Sequence, residues 1–534
     1  MKKILIAAIA VIMPTTIMAQ SAIEAYNLSQ NDLRGTARFM SMAGAFGALG
    51  GDLSTLNQNP AGIGIYRSSE IGATVDFNFM SSNTYNGAKT NNTHVYCPSV
   101  GYIGAFNLRN ETMPFFQWGI SYSRQASFDR TVRGNINDLG TSLSNFIAYS
   151  SNGYDPNELG QSDDFNPYTR TNCEWLSILA YNGYAINPIG NTSEYQGLFA
   201  EGYTVGDASY DIRQRGKIDE YSINFGGNVI DVVYWGLGLG INDIYLAEET
   251  YYDETLYDAD VANVTESGTE IIPGDAYNSL GYNSRITGSG FNIKLGLIVK
   301  PINELRIGVA VHTPTWYHIS HSRRGDLYYE YYDIGAKDAF NWGTAEVNNG
   351  EGSYFDWKLR SPWKFMVSAA TVLGGRFIAS ADYEINAMND MRVSDHKGFE
   401  DALVTNDIKN YFKTQHNVRV GLEYRITPSF SVRCGYGNVF SAVKDGVNEG
   451  DVDVYTNGRF LDNTNPAYTF TNNTRYLTCG LGYRYKKFYV DAAYVNKYRT
   501  MTYHPFSSFG DVYGPWGNYS ISENNLVVSL GYKF

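Results

Sequence analysis

The sequence predicts an all-β transmembrane barrel: an antiparallel sheet of about 14 strands closed on itself, with a small N-terminal plug in its lumen. Three observations predict it. Apolar and polar residues alternate with a period of two in segment after segment. The links between segments alternate between short and long. An export-type leader opens the chain, and no later apolar run is long enough for a transmembrane helix.

The alternation is clearest over 526–534, where Leu526, Val528, Leu530, Tyr532 and Phe534 interleave with Val527, Ser529, Gly531 and Lys533. A strand sends successive side chains to opposite faces, so one face is apolar and the other polar. The pattern recurs at Phe291–Val299, Leu305–His312 and Val418–Ile426. In all, it predicts strands near 67–79, 98–108, 115–128, 218–229, 233–252, 285–300, 304–331, 353–373, 376–390, 414–426, 430–443, 473–486, 488–503 and 521–534. Lys294, Asp382, Glu384, Arg419, Glu423, Arg433 and Asp491 fall on the face opposite the apolar one, which requires a wet or internally paired lumen.

Between these strands, tight links such as Gly374-Gly375 and Thr427–Ser429 alternate with long ones at 80–97, 129–217, 253–284, 332–352, 391–413, 444–472 and 504–520. Outer-membrane barrels are built this way, with short periplasmic turns and long external loops. Closure follows from solvent: in lipid an open sheet edge leaves backbone groups unpaired at several kcal/mol each. A soluble β-sandwich would also alternate, but it fits poorly with segments this long and with a leader.

Composition agrees. The chain has 44 tyrosines, 54 glycines and only 15 prolines, a mixture suited to strands and turns. A net charge of -13 argues against a nucleic-acid partner. Lys2 and Lys3, the apolar run Ile4–Met13 and the small Ala19 before Gln20 read as a cleaved secretory signal peptide over residues 1–19. Export places the barrel in a bacterial outer membrane. The aromatic Phe534 on an amphipathic last strand resembles the signal read by the barrel assembly machinery.

Residues 20–66 lack the alternation and form the expected plug, or hatch; the barrel occupies 67–534. After a polar helix near Ala22–Asn31 comes a run of small residues, Ala43–Gly51, then Asp52, Ser54 and the turn Asn59-Pro60-Ala61-Gly62. Small residues permit close backbone packing, while Pro60 fixes one dihedral and Gly62 frees another.

A glycine- and alanine-rich run, an Asp and a Ser, then Asn-Pro-Ala-Gly directly before the first strand resembles the FadL/OmpP1/TodX family, in particular members from Bacteroidetes, some labelled haemin receptors. The resemblance implies passive outer-membrane transport of hydrophobic small molecules, long-chain fatty acids or aromatic hydrocarbons. It implies a hatch carrying Asp52, Ser54, Asn59, Pro60, Ala61 and Gly62. It also implies a sideways exit near the third strand, where Gly119 is a candidate weak point because strand glycines often mark bends. For the hatch motif itself, gating and a purely structural anchor are equal alternatives.

Other features are read against plainer explanations. Trp175, Leu176, Ile178 and Leu179 form an apolar cluster in an external loop, a candidate contact for greasy cargo or else the loop's own small core. His312 and His318 share a strand face but lie about 20 Å apart, too far for one metal, so no metal site or cofactor is expected. Cys434 and Cys479 fall on the lipid-facing side of neighbouring strands, whereas Cys97 and Cys173 sit at loop positions where geometry decides pairing. No serine–histidine–acid constellation has a supporting motif, so an enzyme is not expected. A protein-interaction barrel similar to the PorV component of type IX secretion is the alternative reading. An energised haem receptor fits worse, because about 22 strands and a far larger plug are needed.

Overall fold

The computed structural model describes residues 21–84, 89–265, 268–447, 454 and 461–534. The leader lies outside the described residues. Fourteen strands pair in chain order and close: β1 (Glu70–Thr84), β2 (Lys89–Asn107), β3 (Phe115–Ser127, resuming as Arg130–Ile136), β4 (Val205–Val229), β5 (Val233–Thr265), β6 (Gly268–Ile302), β7 (Leu305–His312, resuming as Trp316–Asp333), β8 (Ser353–Arg360, resuming as Lys364–Leu373), β9 (Phe377–Asn386), β10 (Gln415–Arg425), β11 (Phe430–Val439), β12 (Tyr468–Tyr485), β13 (Phe488–His504) and β14 (Gly517–Lys533). The seam is a full antiparallel ladder between β14 and β1, from Glu70↔Lys533 to Thr84↔Tyr519. No helix among the described residues is long and apolar enough to cross a membrane.

The faces fall as the alternation requires. On β1, Ile71, Val75, Phe77 and Phe79 are exposed outward, while Glu70, Thr74, Asp76 and Asn78 are buried inward. On β14, Leu526, Val528 and Leu530 point out and Val527 and Ser529 point in. Tyr483, Tyr485 and Phe488 expose aromatic rings near the short-turn end. Such rings sit well at a lipid–water boundary.

Several strands outrun their sequence-based limits. β5 and β6 are 33 and 35 residues long, so most of 253–284 is paired strand and not loop. A bilayer needs only about 9–11 residues per strand. Beyond that depth, water touches both faces, the apolar period fades, and only backbone pairing carries the ladder onward. β2 likewise begins at Lys89, which places Cys97 on a strand. Two strands are interrupted at prolines. Pro314 in β7 and Pro362 in β8 lie at one level, and the missing rungs are replaced by Ser361 N donating to Thr315 O (3.0 Å) and Thr315 N to Ser361 Oγ (2.7 Å).

The N-terminal segment holds α1 (Ala22–Leu28), α2 (Ala37–Ser41) and α3 (Thr55–Gln58), and long loops cap one end of the barrel. Within 129–217, the strand pieces Arg130–Ile136 and Val205–Lys217 flank a helical cap containing α4 (Leu143–Ser151) and α5 (Trp175–Asn182). Buried Glu254 on β5 ties the cap down: it accepts from Leu143 N (2.9 Å), Tyr252 Oη (3.1 Å) and Ser142 Oγ at the start of α4. A further helix, α6 (Ala402–Tyr411), lies in the β9–β10 link, where Phe412 stacks on Tyr26 of the plug at 4.4 Å.

Candidate functional site

The plug begins with a helix over Ala22–Leu28, capped by Ser21 and Glu24 in a reciprocal capping box. A second short helix, Ala37–Ser41, starts at Thr36. Asp52 and Ser54 fix that start. Thr36 Oγ1 donates to the Asp52 carboxylate (2.7 and 2.9 Å), Ser54 N donates to Asp52 Oδ1 (2.9 Å), and Thr36 N donates to Ser54 Oγ (2.7 Å). The two sequence-predicted hatch residues therefore join the plug's two halves.

Asn59 has a similar role at the turn. Its Oδ1 accepts from Ala61 N (3.1 Å), and its Nδ2 donates to Gly47 O (2.6 Å) and to Val309 O of β7 (3.4 Å). Pro60 opens a 3₁₀ helix over Pro60–Ile65, and Ala61 and Gly62 are buried within it. The plug touches the wall where the wall has glycine. A β carbon on Gly236 would strike the Pro60 carbonyl, one on Gly308 the Gly47 carbonyl, and one on Gly421 would lie 2.7 Å from Met42 O. These glycines, invisible as site residues in the alternation, let backbone pack on backbone.

Charge holds the rest. Arg34 bonds Asp76 of β1 (2.5 Å) and faces Glu523 of β14 (3.7 Å); Arg38 bonds Glu423 of β10 (3.0 Å), which also accepts from Arg433 (2.8 Å), itself bound to Asp491 (2.5 Å). Asp32 pairs with Lys497. Burial pushes the Asp32 carboxyl up, but Lys497, Arg34 and Arg499 outweigh it and hold it below the usual carboxylate range. Asp382 accepts from the backbone N–H groups of Phe46 (3.0 Å) and Gly47 (3.0 Å). His312 bonds Gln58 O (2.8 Å) and His321 bonds Ser284 Oγ (2.8 Å), so each has a separate packing role, and no group of three potential metal ligands occurs among the described residues.

Two cavities flank the plug. An upper one, ≈140 Å³, lies below the cap and mixes apolar with charged walls: Ile23, Leu246, Ile286 and Tyr503 against Glu248, Arg130 and Arg499. A lower one, ≈130 Å³, lies between the plug and the wall from β3 to β12 and is lined mostly by polar and charged side chains. Both touch Leu28 and Asp32.

The wall beside the upper cavity is incompletely laddered. β2 and β3 pair only from Asn107↔Phe115 up to Ser99↔Ser123; above that level β2 pairs with β1 and β3 with β4. Side chains bridge the interval. Tyr96 Oη donates to Asp129 (3.0 Å) and accepts from Ser127 Oγ (3.2 Å), and its ring lies between the guanidinium groups of Arg34 (5.0 Å) and Arg124 (5.2 Å). Ala126, Ser127, Phe128 and Arg130, on the released side of β3, line the upper cavity.

Gly119 and the 175–179 cluster take definite places in the wall and the cap. Gly119 is fully paired, to Ile103 on one side and Asn224 on the other; the irregularity in β3 is a register shift between Arg124 and Ala126. A glycine here serves close packing, with Ile63 of the plug 3.4 Å from where a β carbon would be. In the α5 cluster, Leu176, Ile178 and Leu179 are buried in the cap's core, and half-buried Trp175 packs edge-on against Tyr168. Enough helix surrounds them to bury their apolar area.

No protein-family model and no curated relative matches the chain. Among solved structures it is similar to a Pseudomonas aeruginosa FadL homologue, at 13% identity over 94% of this chain and 99% of that one, with a TM-score of 0.48. It is similar to the Pseudomonas putida toluene transporter TodX at 12% identity, with the same coverage and a TM-score of 0.47. A third is the Ralstonia pickettii toluene transporter TbuX, at 13% identity, the same coverage and a TM-score of 0.45.

Proposed function

We propose that the chain is a bacterial outer-membrane channel that passes hydrophobic small molecules by diffusion, with long-chain fatty acids or aromatic hydrocarbons as cargo. One observation carries the reading: the partly apolar upper cavity abuts the stretch of β3 that has left β2, directly above a hatch sealed against the wall. Cargo enters beneath the cap and leaves sideways between β2 and β3, past Tyr96. The axial route is unsuited to it, because the hatch and the polar lower cavity would strand apolar surface against buried polar groups.

Within this reading a carboxylate-headed cargo fits better than a hydrocarbon. Arg130 lines the upper cavity, bonds Gln214 and the Met501 sulfur (3.6 Å), and has no carboxylate within 4.0 Å among the described residues. Arg130 is half-buried, and a cation with no carboxylate in contact favours an anion. Lipid surrounds the exposed apolar band, and the barrel assembly machinery is the expected partner in biogenesis.

Mass spectrometry of small molecules extracted from the purified barrel tests the proposal, with an Asn59→Ala/Pro60→Ala variant beside it. A stoichiometric hydrophobe, altered in the variant, supports transport. A co-purifying protein with only detergent and bulk lipid supports the interaction barrel instead.

A further inference from the structure

Above the lipid-facing band, two arginines stand side by side on the outside of the barrel. Gln214, Leu246, Glu248, Ser284 and Ile286 line the upper cavity, so Arg215, Ala247 and Arg285 point outward. Arg215 on β4 and Arg285 on β6 are exposed, and both lie directly opposite Ala247 of β5, one on each side. Two strand spacings, about 10 Å, separate their backbones, and the small Ala247 side chain leaves room for the guanidinium groups to converge.

Neither arginine forms an ion pair among the described residues, whereas the neighbouring cations are matched. Arg213 bonds Asp211 (2.7 Å) and Glu249 (3.2 Å), and Lys217 bonds Asp219 (2.6 Å). The chain as a whole carries -13, so two unmatched guanidinium groups together form a local field of the opposite sign. Elsewhere on the circumference the outward row above the band is neutral, as at Tyr498, Ser522 and Ser81.

Height narrows the ligand. Below the arginines the outward pairs are Tyr245 and Thr287, then Asp243 and Ser289, then Ile241 and Phe291 at the top edge of the apolar band. Six residues of tilted strand raise the arginines about 15 Å above that edge. Ordinary phospholipid headgroups fill only about 5–7 Å beyond the hydrocarbon, and the exposed Asp243 carboxylate repels a phosphate at the lower level. A lipid that reaches the pair must carry its anion on a larger head. Arginine forks bind phosphate through parallel N–H···O bonds.

We propose that Arg215 and Arg285 together bind a phosphate on the sugar head of an outer-leaflet glycolipid, whose acyl chains lie against Ile241 and Phe291. The site rests on the barrel's placement in an outer membrane and does not involve its cargo. Co-fractionation of the protein with outer membranes reads that placement separately.

The experiment is calorimetric titration of the full-length barrel in non-ionic detergent. The probes are a rough-type lipopolysaccharide, the same glycolipid after dephosphorylation, phosphatidylethanolamine and inorganic phosphate. Saturable binding of the phosphorylated glycolipid is expected, weakened about tenfold or more by dephosphorylation and by Arg215→Gln/Arg285→Gln. Lys486→Gln/Lys487→Gln removes the same charge at the short-turn end and should leave binding unchanged. No saturable glycolipid binding overturns the site, and so does equal binding of the dephosphorylated form or of phosphatidylethanolamine. Equal weakening in both double variants shows only general charge attraction and overturns it as well. Inorganic phosphate bound as tightly as the glycolipid overturns the lipid assignment. Heat-modifiability on gels verifies that each variant is a folded barrel, and Arg285→Gln alone replaces the arginine pair if that variant is not.

Discussion

The carboxamide oxygen of Asn59 occupies the space that a β carbon on Gly296 would need. Asn59 belongs to the hatch turn and Gly296 to β6, so plug and wall are fitted to each other at the level of single atoms. The same fit recurs at Gly435 and Gly480, where a β carbon would lie 2.5 Å from the Met42 carbonyl carbon and from Ser41 Cβ.

Gly296→Ala should unseat the hatch while the barrel still closes. Overpacking of this kind costs about 1–3 kcal/mol, and here it falls on the plug and not on the strand ladder. Faster amide exchange over 44–62 with unchanged heat-modifiability is the expected result. Slow exchange equal to the parent protein would show that the contact is easily relieved.

Glu423→Gln should lower stability sharply. Glu423 is buried between Arg38 and Arg433, and its loss leaves Arg38 without a carboxylate while Arg433 keeps only Asp491. Breaking a buried pair by removing one partner costs about 3–5 kcal/mol. The unfolding midpoint in urea should fall accordingly, and Arg38→Met combined with Glu423→Gln should recover part of the loss.

The cap should be held more tightly at pH 4 than at pH 8. Glu174, at the start of α5, is buried in the cap, and burial pushes its carboxyl from 4.5 up to about 7. The folded state thus keeps a proton that the unfolded segment loses between those values. Stability is complete below pH 4.5, declines as pH rises toward 7, and is level above it. Proteolysis of the 137–204 segment should accelerate across that window, and Glu174→Gln should reduce the dependence to the share carried by buried Glu254.

Thiol labelling should find four free cysteines and no bridge. Cys434 and Cys479 face each other across β11 and β12 on the outer surface, Cys97 is exposed, and Cys173 is buried. Burial raises the Cys173 thiol, which keeps it protonated. A small maleimide should therefore modify three sites on the folded barrel and the fourth only after denaturation. Reductant should leave gel mobility unchanged.

The barrel was legible in the sequence because lipid imposes a strict period of two on every crossing strand, as Leu526, Val528 and Leu530 illustrate. The upper reaches of β5 and β6 were not, because water on both faces removes the need for alternation. Asn59-Pro60-Ala61-Gly62 could be singled out as turn chemistry, but its receiving glycines could not. Gly236, Gly296 and Gly308 look like any other strand glycine until the plug is placed against them. The release of β3 from β2 is not written in either segment for a similar reason: pairing is a property of two strands, and only Pro98 hints at it within one.

Arg34 has a consequence for how the molecule is put together. It reaches from the plug to Asp76 on the first strand and Glu523 on the last, while Ser529 of the last strand accepts from Ala37 N (2.7 Å) and bonds Thr74 of the first (2.7 Å). The rivet spans the one joint that forms last when a linear chain becomes a ring. A chain that closes with its plug misplaced leaves Asp76 without its cation, whereas Glu523 keeps Lys497 and Arg499 of the wall. Closing one residue out of step turns the apolar band inward as well. The plug is thus a gauge against which the ring is sized, and proofreading of assembly is written into the same atoms that block the lumen.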